Sequence, residues 1–304
     1  MTEFTWGSDT EITHADIPEL TVGIHFDGKF DQRINPNIIP NTVKTIEFGL
    51  GYDQPIGLGV LPDSLESIKF GYGFNQPIGE NILPNTLKSI IFGCNFNQLI
   101  GPEVLPNSLK SIAFGFYFNK PIGARVLPDS LESIVFGYGF NQPIGSNVLP
   151  KYLKTIKFGS RFNQPIGENV LPDSLKFITY GRSYSQSISA LYHLNHIEHI
   201  SMHTMDPLEI VSSSLPQSLK YLEIYSCDMM TSLNSESQRM WFSVIFWDPW
   251  KLLCITYPIF VRSSYSHNEG YEVIGSSIIN GKEYRKLINP DTYQPRSNAK
   301  SARK

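Results

Sequence analysis

The chain has 304 residues with a formal net charge of −3, and 41% of its residues are apolar. This apolar content is sufficient for a buried core, which excludes a wholly disordered protein, and the weak net charge gives no indication of a polyanion partner for the whole chain. The three cysteines are far apart and lack a CxxC spacing, so the sequence argues against a disulfide framework and a zinc ribbon. Since no apolar signal segment opens the chain, we expect an intracellular, cytoplasmic protein.

A 22-residue repeat occupies residues 18–227, and the segment before it, residues 1–17, is predicted to be an N-terminal cap. Two blocks recur together at this step: FNQPIG, as from Phe74, and LPDSLESIKFG, as from Leu61. No insertion or deletion interrupts seven consecutive units, and weaker copies extend the register to about ten coils. Atypical outer copies are expected for the terminal repeats of a solenoid.

Each coil is predicted to contain one short β-strand. Residues 67–70 alternate polar and apolar side chains, which is the period of a strand with one buried face. A repeat of 22 residues is too short for a strand, a crossover helix and a return strand, which need about 30. We therefore predict a repeat solenoid that is mainly β, with parallel strands stacked from coil to coil. In the coil from Pro62 to Leu83, six apolar side chains are predicted to point inward: Leu65, Ile68, Phe70, Phe74, Ile78 and Leu83.

Three further recurring positions are assigned to the turns. Gly71 and Gly79 are expected where the chain bends with little room for a side chain or with a positive φ. Asn75 recurs in successive coils, and we expect its amide to satisfy backbone groups of the turn.

The combination of FNQPIG and LPDSLESIKFG at fixed spacing resembles the FNIP repeat, a leucine-rich-repeat-like family of social amoebae and giant amoebal viruses. The resemblance is strong from Pro18 to Gly181 and weakens toward Cys227. It implies a leucine-rich-repeat-like parallel solenoid that binds proteins, located in the host cytoplasm if the protein is viral.

Candidate partner-binding residues lie at the outward strand positions. One outward column contains three adjacent apolar residues with a lysine on each side: Lys69, Ile91, Ala113, Val135 and Lys157. An apolar patch with a charged rim is typical of a protein-binding surface. The other outward column is mostly Ser and Thr but becomes aromatic at Phe177, His199 and Tyr221. The alternatives are chance variation of a β-surface for the first group and cover for a fraying end for the second.

No catalytic, cofactor or metal site is predicted. Glu47 and Glu223 are the only acids in the two outward columns and lie about 38 Å apart by strand spacing, whereas a glycosidase pair needs roughly 5–10 Å. Four histidines cluster in one segment: His193, His196, His199 and His203. His199 and His203 are about 13 Å apart along an extended strand, too far to share a zinc ion.

The sequence after the repeats differs in composition. Residues 228–281 are rich in Trp and contain an apolar segment long enough to span a bilayer. Asp248, Pro249 and Lys251 interrupt this segment, which argues against a span. We therefore predict that residues 228–281 form a C-terminal cap. Residues 282–304 form a basic tail with seven Lys or Arg and two acids. Such a tail makes at most weak contact with nucleic acid or an anionic surface.

These features predict a non-catalytic protein–protein interaction scaffold that binds a protein partner on the exposed face of its sheet. We expect a monomer or weak oligomer, with no membrane segment. Two alternatives stay open: a hydrolase with an unrecognised site in the loops or the C-terminal cap, and a structural protein that self-assembles through its sheet edges.

Overall fold

The computed structural model describes residues 2–204, 216, 218–226, 242–245, 276–279 and 282–285. Two single 3-10 turns, His14–Asp16 and Ser189–Leu191, are the helical elements of this part of the chain. The strands are β1 Thr2–Trp6, β2 Thr21–Phe26, β3 Thr45–Glu47, β4 Ser67–Lys69, β5 Ser89–Ile91, β6 Ser111–Ala113, β7 Ser133–Val135, β8 Thr155–Lys157, β9 Phe177–Thr179, β10 His199–Thr204, β11 Tyr221–Ser226, β12 Phe242–Ile245, β13 Ser276–Ile279 and β14 Lys282–Arg285.

The strands β1 to β12 form one sheet in sequence order. Strands β1 to β11 are parallel, β12 is antiparallel to β11, and β13 pairs with β14 in a separate two-stranded sheet. From β2 to β11 equivalent residues of successive repeats are register partners, as Ile68 is with Ile90. The predicted parallel solenoid with one short strand per coil is therefore confirmed.

Strand β1 extends the sheet into the segment predicted as an N-terminal cap. Phe4 pairs with Ile24 and Trp6 pairs with Phe26, with an irregularity between Thr2 and Glu3. This pairing follows a step of 20 residues instead of 22, so a search at the repeat period does not find it. Phe4 and Trp6 are partly buried and pack against the core.

The core lies between the sheet and the turns and contains two columns of stacked aromatic rings. Phe70 lies 3.9 Å from Phe74 in its own coil and 5.8 Å from Phe92 in the next, measured between ring centroids. All six side chains predicted to point inward in this coil are at most 6% exposed. A seventh buried column, represented by Val104, was not predicted because it lies in a turn beside Leu105, where strand alternation does not apply.

The Asn75 column forms a hydrogen-bond ladder along the solenoid. The Asn75 Oδ1 accepts a hydrogen bond from the backbone N–H of Asn97 at 2.9 Å and another from the side chain of Gln98 at 3.1 Å. Equivalent backbone bonds connect successive coils from Asp9 to Ser185. The structural role predicted for this asparagine is therefore confirmed, and the first three coils use aspartate for it.

The two glycine columns differ in their role. A Cβ on Gly71 would lie 1.8 Å from the carbonyl oxygen of Gly49, so the prediction of little room is correct there. It is wrong for Gly79, because a Cβ there would lie 3.8 Å from Ile82 and the φ is not positive. The left-handed conformation occurs two residues later, at Asn81 with φ 60°. Asparagine tolerates that conformation better than most residues, so no glycine is required.

Candidate partner-binding face

The outer surface of the sheet carries the predicted apolar patch in a single row. Ile90 points into the core with 0% exposure, which turns Ser89 and Ile91 outward because side chains alternate along a strand. Register pairing joins Lys69, Ile91, Ala113, Val135 and Lys157 on the consecutive strands β4 to β8. We call these five residues the face row. Ile91 is 41% exposed, a large apolar side chain that the fold leaves uncovered.

The second predicted group lies on the same surface, on strands β9 to β11. The Phe177 ring is 6.1 Å from the His199 ring, which is 5.8 Å from the Tyr221 ring. Phe177 is 43% exposed and Tyr221 is 51% exposed. Because Phe177 pairs with Thr155 of β8, this aromatic group continues the hydroxyl column, which lies beside the face row.

The hydroxyl column beside the face row is part of the sheet's own bonding. Ser111 Oγ donates a hydrogen bond to Ser89 Oγ at 3.0 Å. Such cross-strand contacts between hydroxyl side chains stabilise a sheet. We therefore assign these two serines to the scaffold.

The two ends of the face row differ in charge pairing. Lys69 donates a hydrogen bond to Glu47, and this bond holds the pKa of the Glu47 carboxyl below its usual range. His25 Nδ1 also lies 3.7 Å from the same carboxyl. Lys157, at the other end, is exposed and has no ion pair within the described residues. The face row therefore has an ion-paired lysine, Lys69, at one end and, at the other, Lys157, whose charge is available to a partner.

A group of exposed aromatic residues, absent from the sequence prediction, lies in the turns that follow the strands. Phe116 stacks on Tyr138 at 4.5 Å and meets Tyr117 edge-on at 4.8 Å. The Arg161 guanidinium lies 5.2 Å from the centre of the Tyr138 ring. Tyr117 also lies near enough to Tyr72 to raise its pKa. We call these five residues the turn cluster.

The turn cluster has a local cause in the sequence. A glycine follows the last buried residue of each strand, and its lack of a side chain lets the coils approach closely, as Gly115 does with Gly93. The next residue lies on the outside of the turn, and its identity changes from coil to coil, as in Tyr72, Phe116 and Tyr138. The sequence signal for the turn cluster was this variation at one position of an otherwise regular repeat. That position lies outside the strand columns from which the binding residues were predicted.

The face row and the turn cluster adjoin one another. Phe116 is the third residue after Ala113, and Tyr138 is the third residue after Val135. The turn cluster therefore borders the face row at the carboxyl ends of β6 and β7.

The amino ends of the strands carry ion pairs instead of apolar groups. Glu132 lies 3.1 Å from Lys110 and 2.6 Å from Lys154, on the coils before and after it. Glu66 and Glu198 bridge two lysines in the same way. Hydrogen bonds from these lysines lower the pKa of all three carboxyls. The acids at this edge are thus already neutralised by neighbouring coils.

The other sequence predictions concern metal binding, membranes and the C-terminal region. Within the described ranges, no three His, Cys, Asp or Glu side chains lie close enough to hold a metal ion. His199 and His203 both belong to the extended strand β10, as the distance argument assumed. Among the described residues, no helix has the length and apolar character needed to cross a bilayer. The predicted cap, residues 228–281, and tail, 282–304, lie outside the described residues except for the strands β12, β13 and β14.

Comparison with known proteins identifies the repeat. Four consecutive segments match the FNIP Repeat family: residues 9–51, 52–95, 96–139 and 140–189. The chain is also similar to the crystal structure of CroV588, described as a novel circular LRR protein, with 42% sequence identity and a TM-score of 0.67. That similarity covers 70% of this chain and 31% of the CroV588 chain, so the match spans less than a third of that protein. No curated protein matches the sequence. The predicted resemblance is confirmed, and the match begins at residue 9, inside the segment predicted as a cap.

Proposed function

The chain belongs to the FNIP repeat family, and from this premise we propose that it is a non-catalytic scaffold that binds a partner protein on the outer face of its sheet. Repeat solenoids of the leucine-rich type present extended surfaces that commonly serve as protein-interaction scaffolds. The binding surface consists of the face row, the turn cluster and the aromatic residues of β9 to β11.

The exposure of Ile91 carries this proposal. Its side chain is 41% exposed, whereas its inward-pointing neighbours along the chain, Ile90 and Phe92, are 0% and 4% exposed. Ala113 and Val135 continue the apolar surface on the next two strands, and aromatic rings border it. Protein interfaces combine an apolar centre, aromatic anchors and a polar rim in this way.

Partner capture with matched charge variants tests the proposal. The Ile91→Glu/Val135→Glu variant places two carboxylates on the face row, on strands that are not adjacent, so that they repel one another little. The control is Leu58→Glu/Leu99→Glu, which makes the same chemical change at leucines that are 65% and 62% exposed in other turns. We expect loss of partner binding only in the first variant. Equal retention by both variants would exclude the face row as the binding site.

A second candidate function, self-assembly, is favoured by the first strand of the sheet. Within the described residues, β1 pairs with β2 on one side and with no strand on the other. An unpaired strand edge is able to pair with a second chain. Sedimentation equilibrium over a hundredfold range of protein concentration tests this function, since a constant monomer mass would exclude it.

A further inference from the structure

We infer that the partner segment is an acidic peptide with an apolar or aromatic residue, bound in an extended conformation across strands β5 to β9. This inference rests on the proposed function and adds the chemical class of the partner. It derives from the charges, the aromatic groups and the size of the binding surface.

The charges on this surface all have one sign. From Ser67 to Arg182, the outward strand positions and the two residues after each turn glycine contain no Asp or Glu. The same positions contain four cations, of which Lys69 is paired with Glu47. Lys157, Arg161 and Arg182 are exposed and form no ion pair within the described residues.

This local charge differs in sign from the charge of the whole chain, which is −3. The acids nearest the strands, such as Glu132, lie at their amino ends between two lysines, and others, such as Glu103 and Glu168, lie in the turns after the FNQPIG block. The three available cations therefore face solvent without a competing carboxylate on the same surface. Electrostatic complementarity selects a partner with negative charge at this position.

The apolar part of the surface lies beside the cations. Ile91, Ala113 and Val135 occupy β5 to β7, whereas Lys157 is on β8, and Arg161 and Arg182 are in the turns after β8 and β9. A segment lying across the strands would thus place its apolar residue near Phe116 and its carboxylates near the arginines. Arginine also suits carboxylate recognition because its planar donors match both oxygens.

The part of the binding surface that carries both the apolar residues and the available cations, strands β5 to β9, has the size of a short segment. Four strand steps of about 4.8 Å give a length of roughly 19 Å, which an extended peptide of about six residues spans. With roughly 20 Å along each strand and turn, this part of the surface covers about 400 Å². That is half of the ~800 Å² per partner that typical complexes of folded proteins bury.

A displayed random octapeptide library, selected against the whole chain, tests the inference. We expect the enriched peptides to combine at least two Asp or Glu with an aromatic or large apolar residue. Fluorescence anisotropy of one enriched peptide should show about fivefold to tenfold weaker binding to Arg161→Gln/Arg182→Gln than to the unaltered chain. The control, Lys88→Gln/Lys154→Gln, removes the same charge at the opposite edge, where both lysines are paired with glutamates, and should leave binding unchanged.

The outcomes separate this inference from the proposed function. Enrichment of neutral or basic peptides that still depend on Ile91 and Val135 would overturn the acidic partner and leave the binding face in place. An enriched peptide that binds the Ile91→Glu/Val135→Glu and Arg161→Gln/Arg182→Gln variants normally would overturn both. Failure to enrich any peptide, or binding of single-stranded oligothymidine in preference to the acidic peptides, would also overturn the inference.

Discussion

Replacing Gly115 with alanine is expected to separate two coils of the solenoid. A Cβ at this position would lie 1.7 Å from the carbonyl oxygen of Gly93 and 2.9 Å from the Cα of Cys94, and both contacts are with backbone. Real Cβ atoms essentially never approach a neighbour within 3.0 Å, so the contact with Gly93 must lengthen by about 1.3 Å. No rotation of a side chain relieves it, because the obstacle is the main chain of the previous coil.

The cost follows from the contacts that hold these coils together. The backbone N–H of Tyr117 donates to the carbonyl of Cys94 at 2.9 Å, and that of Phe92 donates to Ala113 at 2.8 Å. A separation of 1.3 Å exceeds hydrogen-bonding range for both, at about 1 kcal/mol each. The stacking of Phe92 on Phe114, with centroids at 5.8 Å, adds about 1 kcal/mol. The expected loss in the free energy of unfolding is therefore about 3 kcal/mol.

Urea denaturation followed by circular dichroism measures this loss, with Gly123→Ala as the control in the same coil. A Cβ on Gly123 would lie 3.8 Å from Val126, an ordinary contact, so its unfolding midpoint should change little. Backbone hydrogen exchange should be accelerated mainly in β5 and β6 for Gly115→Ala. Equal unfolding midpoints for the two variants would refute the reasoning about close coil approach.

Three further predictions concern stability. Tyr52→Phe should raise the free energy of unfolding, measured by urea denaturation, by about 1 kcal/mol, because the Tyr52 hydroxyl is buried without a hydrogen-bond partner among the described residues. A lower free energy of unfolding would contradict this. Arg125 has φ 65°, a left-handed conformation that asparagine adopts at a lower cost than arginine. Arg125→Asn should therefore raise the melting temperature by an amount equivalent to about 0.5–1 kcal/mol. An unchanged or lower melting temperature would mean that the backbone there is not strained. Lys154 and Lys110 lower the pKa of Glu132 in the folded chain, so its contribution to stability is present at neutral pH and is lost as the pH falls through that lowered pKa. Glu132→Gln should therefore be less stable at pH 7 and lose less stability on acidification, and parallel pH profiles for the two proteins would exclude a contribution from this ion triad.

The regular part of the fold was predictable because one short unit repeats without insertion. Once Ile68 is assigned to a buried strand face, the step of 22 residues places Ile90 beside it and determines the parallel register. Alternation along the strand then separates inward from outward side chains, and this correctly placed Ile91 on the outer face.

The turns were less predictable because alternation does not apply to them. Gly79 looked equivalent to Gly71, yet only Gly71 meets the neighbouring backbone, and the left-handed residue is Asn81. For the same reason the exposed rings of Phe116 and Tyr138 were not assigned to a surface. The backbone angles that direct these side chains outward depend on packing between coils. The repeat period gives no information about that packing.

Site-specific photo-crosslinking tests the proposed binding face most directly. Benzoylphenylalanine is introduced singly in place of Ile91, Val135, Leu58 or Leu99, and the bound partner is irradiated with each protein. We expect cross-links from the positions of Ile91 and Val135, which lie in the face row, and none from the positions of Leu58 and Leu99. Cross-links from Leu58 or Leu99, with none from the face row, would contradict binding on the outer face of the sheet.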